Sequence, residues 1–332
     1  MEENEIYKSD NFHDIYLHNL EKHINDYMFM NSPRGFEQKE RLCTVFKLTN
    51  PVERVCYESE RRSNIIHLFA EALWYLKGTN SLDFIAYYCP AMKKFSKDGK
   101  TLLGSAYGDK IFHWLGHLNQ WDCVYKQLLE DKDSKRAVIN IRNPEEMEIE
   151  DNIDATCTLS LQFLIRDEKL HMFTMMRAND VYVGALSDVF AFTFLHELMA
   201  TQLNIDIGDY YHMVSSTHLY KPNYEAAENL VKKCSKRETY SYHFPKLPRQ
   251  DNWKDLNVVF EYEEKLRLNQ IHLSIEEIEA LNVDKYWKQV VCLLNIQNEI
   301  TYRKKIEKES FNYLLELYQY MIKNKFASFM DE

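Results

Sequence analysis

The chain predicts an α+β fold (α/β in the looser sense), a mixed sheet with helices around it. Three observations carry that reading. Apolar residues recur at helical spacing near both ends of the chain. In the middle, two runs alternate polar with apolar residues across a two-residue turn. No repeat and no Gly/Ser-rich or Pro-rich linker interrupts the order, so residues 1–332 read as a single domain with a helical C-terminal extension from about 270 to 332.

Taken in order, 63–77 (SNIIHLFAEALWYLK) is the strongest N-terminal helix. Ile65, Ile66, Phe69, Leu73 and Leu76 share one face, and Gly78 stops it. A second helix is expected over 118–130. RAVINIR at 136–142 reads as a strand, and TCTLSLQFLIR at 156–166 as a half-buried one. Asp167-Glu168 turns the chain, and 169–175 returns as the partner of an antiparallel hairpin. A long buried helix is expected over 187–202 and a strand over 211–219. Ser274 with Glu277 forms a capping box, and two long helices follow, near 286–298 and 305–323.

Composition narrows the function classes. With 8 Gly and 7 Pro, the chain is neither collagen-like nor low-complexity, and 22 Tyr and 18 Phe supply a large core. The formal net charge of −10 lacks the basic footprint of a general nucleic-acid binder, although a few arginines can still hold one phosphate. No apolar run is long enough for a membrane span, and the acidic N-terminus does not resemble a signal peptide. The seven cysteines are scattered with no C-x-x-C pair. A reduced, cytoplasmic setting is therefore expected, with no metal site.

Five clusters carry polar chemistry, and each alone has an ordinary structural explanation. Glu71 lies among Ala70, Ala72, Leu73 and Trp74. It is either a helix-surface carboxylate or a partly desolvated one suited to acid–base work. Asp133-Ser134-Lys135-Arg136 is a charged turn or a cationic phosphate site. Cys157 with Gln162 on one strand is inert core or a nucleophile. Arg177-Ala178-Asn179-Asp180 leads through Gly184 to Asp188 and would normally be a charged connection. Ser216-Thr217-His218-Leu219-Tyr220 ends a strand with hydroxyls and an imidazole.

In order and spacing these clusters resemble the thymidylate synthase family. C-T-L-S-L-Q at 157–162, R-A-N-D-V-Y-V-G at 177–184 and T-H-L-Y at 217–220 are similar to its Cys…Gln, R-S-x-D-x-x-L-G and T-H-L-Y segments. Upstream, E-A-L-W-Y-L-K-G at 71–78, A-Y-G at 106–108 and D-S-K-R at 133–136 are similar to its E-L-x-W-x-L-x-G, V-Y-G and D-S-R-R. The likeness runs from about 34 to 220. It implies that fold and a nucleotide substrate, with 5,10-methylenetetrahydrofolate as cofactor. Cys157 would add to C6 of a pyrimidine, and Gln162 would belong to the substrate site. Arg177 would bind the 5′-phosphate, with Arg34 as a further ligand. Lys135 and Arg136 would reach the same phosphate from the other subunit of an obligate homodimer whose sheets pack together. Glu71 would organise water and relay protons, and Tyr107 would help remove the C5 proton. His218 and Tyr220 would hold the ribose. Asp180 would contact the pterin, with Glu71 and Gly184 also on the cofactor side.

Four departures from the family pattern refine the expectation. Asp188 stands where the family's uracil-reading Asn stands. A protonated carboxyl can donate to N3 of cytosine and accept from its N4 amine, the cytidylate hydroxymethylase pattern; the competing role is a helix N-cap. The stretch before A-Y-G lacks the family's Trp pair, which points to water rather than hydride reaching the exocyclic methylene. Thr156 and Thr158 flank Cys157 in place of Pro and His. Ala178 replaces the Ser of R-S-x-D, opening space for a ribose 2′-hydroxyl and favouring CMP over dCMP. The expected reaction gives 5-hydroxymethyl-CMP and tetrahydrofolate, chemistry suited to nucleoside antimetabolite biosynthesis. A dCMP hydroxymethylase for modified DNA, a divergent thymidylate synthase acting on dUMP and an inactive nucleotide-binding regulator remain the alternatives.

Overall fold

The computed structural model describes residues 6–234 and 242–330. Among them, seven strands form one mixed sheet: β1 (Tyr7–Ser9), β2 (Phe29–Asn31), β3 (Gln38–Leu48), β4 (Val138–Asn140), β5 (Thr158–Arg166), β6 (Lys169–Asp180) and β7 (Asp206–Tyr220). The spatial order is β1-β3-β7-β6-β5-β4, with β2 also paired to β3. The expected β5–β6 hairpin is antiparallel, with Arg166 opposite Lys169. Its two turn residues both take left-handed backbone angles, Asp167 at φ 50° and Glu168 at φ 57°, as a two-residue turn matching the sheet twist requires. β6 and β7 run parallel, which needs a crossover, and the helix Gly184–Leu203 provides it.

That helix is buried on nearly every side. Val189, Phe190, Phe192, Phe194 and Leu195 are fully inside, and even His196 is used as a neutral core group whose Nε2 lies 2.7 Å from Leu170 O. Burial pushes His196 down to about 3, so it stays uncharged. A helix without a polar face must be covered all round. Here the sheet covers one side and the helix Ile65–Leu76 another, with Phe69 against Phe190 at 5.1 Å between ring centroids. The opposite face of the sheet is only partly covered. Phe173 and Tyr211 stack at 4.5 Å across β6 and β7, beside half-buried Met175 and exposed Met213 and Leu42.

Several expectations need correction. The run 177–180 is not a connection but the last third of β6, so its side chains sit on a rigid strand. The helix expected at 187 starts at Gly184, which places Asp188 inside its first turns and removes the N-cap role. The strand expected over 136–142 is paired only at Val138–Asn140, and the helix expected from 118 begins at Gln120, where Asn119 caps it by accepting from Asp122 N at 3.0 Å. The single helix expected over 305–323 is two, Lys308–Tyr313 and Glu316–Phe326. Leu314 and Leu315 are extended, and the Gln289 amide takes both freed backbone groups, donating to Tyr313 O at 3.0 Å and accepting from Leu315 N at 2.8 Å. The capping box at Ser274 and Glu277 forms as expected, and the helix Lys285–Asn298 follows it. Among the described residues no helix is long and apolar enough to cross a membrane.

Candidate active site

Cys157 lies one residue before β5, at the mouth of a cavity of about 810 Å³. Arg177, on the neighbouring strand, holds that end of the chain. Its backbone N–H donates to Cys157 O at 2.9 Å, its Nε to Thr156 O at 2.8 Å and its Nη2 to Ala155 O at 3.0 Å. The same Nη2 lies 3.7 Å from Cys157 Sγ. Arg142 adds a second guanidinium to Thr156 O at 3.2 Å. Burial pushes the Cys157 thiol above its ordinary value. Arg177 and Arg34 pull it down, while Asp188 and Asp154 push it up.

Thr156, the residue before Cys157, is held by its own hydrogen bonds. Thr156 Oγ1 donates to Glu146 Oε1 at 2.5 Å and contacts Gly104 O at 2.9 Å, and Thr156 N donates to Glu146 Oε2 at 2.9 Å. Lys110 Nζ bonds to both Glu146 and Thr156. Burial acts against a charged Glu146, but the Lys110 and Thr156 hydrogen bonds outweigh it and hold the carboxyl below its ordinary range. Asp154 ties the same loop to Gly104 N (2.8 Å) and Ser105 N (3.1 Å). The approach at Gly104 is so close that a Cβ there would lie 1.6 Å from Asp154 O, so only glycine fits.

The far wall is acidic. Asp188 is half-buried, and Asn179 Nδ2 donates to its Oδ2 at 2.6 Å. Burial, then the nearby Glu71 charge, raises the Asp188 carboxyl well above its ordinary value, so it is held as a neutral acid. Glu71 stands behind it on the helix Ile65–Leu76. Its Oε1 accepts from Tyr75 Oη at 3.2 Å and its Oε2 lies 3.8 Å from His67 Nε2. Tyr107 lines the cavity and is buried. Burial, with the Asp188 and Cys157 charges, keeps its phenol protonated. Asp180 lines the cavity while its Oδ1 accepts from Tyr182 N (2.9 Å) and Val183 N (3.2 Å) at the turn into the Gly184–Leu203 helix, and burial raises its carboxyl too.

The third side comes from β3 and the end of β7. His218 and Tyr220 line the cavity with ring centroids 4.6 Å apart, and burial lowers His218 to about 4, leaving a neutral imidazole. Arg34 arrives on a short turn with a left-handed backbone, φ 53°, a costly conformation for a residue with a side chain. Ala178 and Gly184 also face the cavity.

Of the sequence-derived site residues, Cys157, Tyr107, Asp188, Arg34, Arg177, Ala178, Asp180, Gly184, His218 and Tyr220 therefore meet at one cavity. Glu71 sits one layer behind. Lys135 and Arg136 are exposed and are not among its lining residues. Gln162 is a correction. It is not part of the cavity wall, and its Nε2 donates to Lys135 O at 2.9 Å, fixing the charged turn to β5 instead of facing a substrate. The sequence reading missed Gln38, Glu40, Arg142, Asn152, Asn179 and Ser216 in the wall. Ser216 lay in a flagged cluster without a role of its own. Asn179 stood between two flagged residues, and its polarity on a strand was the available signal.

Comparison with known proteins agrees with this geometry. Residues 46–275 match the family model described as thymidylate synthase. The chain is 32% identical over 210 residues to a deoxyuridylate hydroxymethyltransferase of Bacillus phage SP01, covering 59% of this chain and 54% of that protein. It is 28% identical over 219 residues to the protein of the same name in Pseudomonas phage M6 (62% and 61%), and 30% identical over 188 residues to that of Delftia phage PhiW-14 (53% and 51%). The chain thus spans little more than half the length of the curated relatives it matches. Yet the family match covers well over half of this chain and takes in the strands that carry Cys157, Arg177 and His218, so the chain belongs to the thymidylate synthase family.

Proposed function

We propose that this protein is a cytidylate 5-hydroxymethylase, converting CMP, with dCMP as the nearer alternative, to its 5-hydroxymethyl derivative. The observation that carries the reading is Asp188: a half-buried carboxyl, raised well above its ordinary value, lining the same cavity as Cys157. Cytosine offers an acceptor at N3 and a donor at N4, and a neutral carboxyl answers both. Attack at C6 makes N3 more basic, so that pair strengthens as the reaction proceeds.

The remaining residues fit the steps. Cys157, as thiolate, adds to C6, with the 5′-phosphate held by Arg177 and Arg34. Tyr107, which lines the same cavity, would help remove the C5 proton. Water then adds to the exocyclic methylene, organised by Glu71, and Cys157 departs. 5,10-Methylenetetrahydrofolate would supply the one-carbon unit. The cavity volume sits high in the range of roughly 300–1,000 Å³ for ligand pockets, which leaves room beside a nucleotide. Phe95 and exposed Val183 would take the flat ring of that cofactor, and Asp180 would accept its ring N–H groups. The hydroxymethyl outcome is supported by the phage relatives' names and by a wall that offers Phe95 and Asn152 where the family's Trp pair is missing. Ala178 supports a ribonucleotide, because a small side chain leaves space for a 2′-hydroxyl. A homodimer is supported by the partly uncovered sheet face around Phe173, Tyr211 and Met213. Lys135 and Arg136 are exposed and do not line their own cavity, and they would serve a second copy. A product made from CMP would suit biosynthesis of an antimetabolite nucleoside.

A second reading, uridylate hydroxymethylation, is favoured by what the phage relatives are named for. Incubation with CMP, dCMP and dUMP plus methylenetetrahydrofolate separates the two. Gain of CH₂O on CMP or dCMP without dihydrofolate is the expected result. Gain of CH₂O on dUMP alone would move the chain to the second reading, and gain of CH₂ on dUMP with dihydrofolate would make it a thymidylate synthase. Asp188→Asn is expected to exchange cytidylate for uridylate turnover.

A further inference from the structure

We infer that Asn179 is a specificity-determining positioning residue, which fixes the donor–acceptor order of Asp188 and so decides which pyrimidine that carboxyl accepts. The inference rests on the cytidylate reading above.

A neutral carboxyl is ambiguous. With the proton on one oxygen it presents donor and acceptor in the order cytosine needs; with the proton on the other it presents the order uracil needs. Burial alone therefore keeps Asp188 neutral without choosing a base. Something else must break the symmetry of its two oxygens.

Asn179 is the group placed to do so. It is a buried side chain on β6, nine residues before Asp188, and both line the cavity. Its Nδ2 donates to Asp188 Oδ2 at 2.6 Å. The bare, unprotonated oxygen is the better acceptor, so this bond draws the proton onto Oδ1. The backbone of Asn179 is fixed within the parallel ladder opposite Thr217, and Gly184 lies beside both side chains, where even an added Cβ would make only ordinary contacts, 3.4 Å to Nδ2 and 3.5 Å to Asp188 Oδ2. The amide and the carboxyl are thus packed together beneath the turn that starts the Gly184–Leu203 helix. Asp188 then offers a fixed order, O–H at Oδ1 and a remaining lone pair at Oδ2. Without the amide, the proton can sit on either oxygen at similar cost, and both bases find a matching form.

The test uses the full chain with Asn179→Leu, which keeps the volume but removes the donor, and Asn179→Ala as a smaller second variant. kcat/KM is measured for CMP and UMP, and for dCMP and dUMP, under the same folate concentration. In parallel, calorimetric binding of the same nucleotides to Cys157→Ser carrying each change reads recognition without turnover. The expected result is a fall of about tenfold in the cytosine-to-uracil ratio in both assays, with phosphate affinity held within a few-fold. A merely structural role would lower both bases together and leave the ratio unchanged; that outcome overturns the assignment of Asn179 while leaving the cytidylate reading standing. A wild-type protein that turns over uridylate in preference to cytidylate overturns the cytidylate reading itself, and this inference with it.

Discussion

The two ends of the cavity solve opposite electrostatic problems. Around Cys157 the protein gathers cations, Arg177, Arg142 and Arg34, and satisfies two of them with main-chain carbonyls of the loop that carries the nucleophile. Around Asp188 it gathers acids, Glu71 and Asp180 with Tyr107, and burial raises Asp188, Asp180 and Tyr107 above their ordinary values. The first end is preorganised by charge and remains ready for a dianion. The second is preorganised by desolvation and remains ready for a base edge. Under the proposed function a pyrimidine nucleotide would match that polarity along its length, so few residues would be needed to orient it. Cys157 feels both influences, with burial pushing its thiol up and Arg177 and Arg34 pulling it down.

Loss of the nucleophile tests the cationic end most severely. Cys157→Ser is expected to cut turnover by roughly 10⁴-fold or more while nucleotide binding by calorimetry stays within a few-fold. Equal loss of binding would mean that Cys157 is there for packing.

The next effect concerns stability. Lys110→Met leaves the Glu146 carboxylate buried without its cation beneath Thr156, and is expected to lower unfolding free energy by about 3–5 kcal/mol, read from the urea midpoint. Adding Glu146→Leu should return a large part of it, because two apolar groups replace a charge pair. No recovery in the double variant would place the cost elsewhere in the loop. Smaller again is Arg177→Ala, expected to cost roughly 10²-fold in kcat/KM through loss of both phosphate charge and carbonyl anchoring.

The acidic end answers to pH. On the cytidylate reading Asp188 would need its proton to donate to cytosine, and its carboxyl is raised, so kcat/KM for cytidylate is expected to fall as pH climbs through that raised value, about tenfold per unit beyond it. Cys157, also raised, gives the rising limb on the acid side. The same sign holds for folding: the proton that Asp188 binds more tightly when folded contributes stability at low pH, lost as pH rises through the raised value. Asp188→Asn, assayed on dUMP, should show the Cys157 limb without the Asp188 one.

The two ends were not equally legible in the sequence. Cys157, Arg177 and Asp188 stand at spacings that can be read along one chain, and the β5–β6 hairpin announces itself by alternation. Arg142 and Asn179 are different. Their roles arise from single contacts, to Thr156 O and to Asp188 Oδ2, across separations that no spacing rule covers. β3 was missed because QKERLC carries charge on both faces before its apolar end, so its period of two is hidden. The break at Leu314 was missed because the partner that makes it tolerable, Gln289, belongs to another helix. Local pattern reveals elements that are amphipathic on their own, and tertiary hydrogen bonds decide the rest.

The smallest expected effect lies where the two ends meet, at the sugar. Ala178 on β6 is in register with Ser216 on β7, whose hydroxyl bonds to Glu40, and all three line the cavity beside His218. A ribose 2′-hydroxyl brought here finds acceptors and no side chain in its way. Ala178→Ser adds one oxygen to that corner. It would compete for the same acceptors and crowd a 2′-hydroxyl but not a 2′-hydrogen. The expected outcome is a shift of about five- to tenfold in the CMP-to-dCMP ratio of kcat/KM towards dCMP, the scale of about 1 kcal/mol for a small group in a pocket that was not built around it. A ratio that moves the other way would mean that the serine hydroxyl holds the ribose instead of excluding it. The sugar preference would then have to come from Glu40 and Ser216 alone.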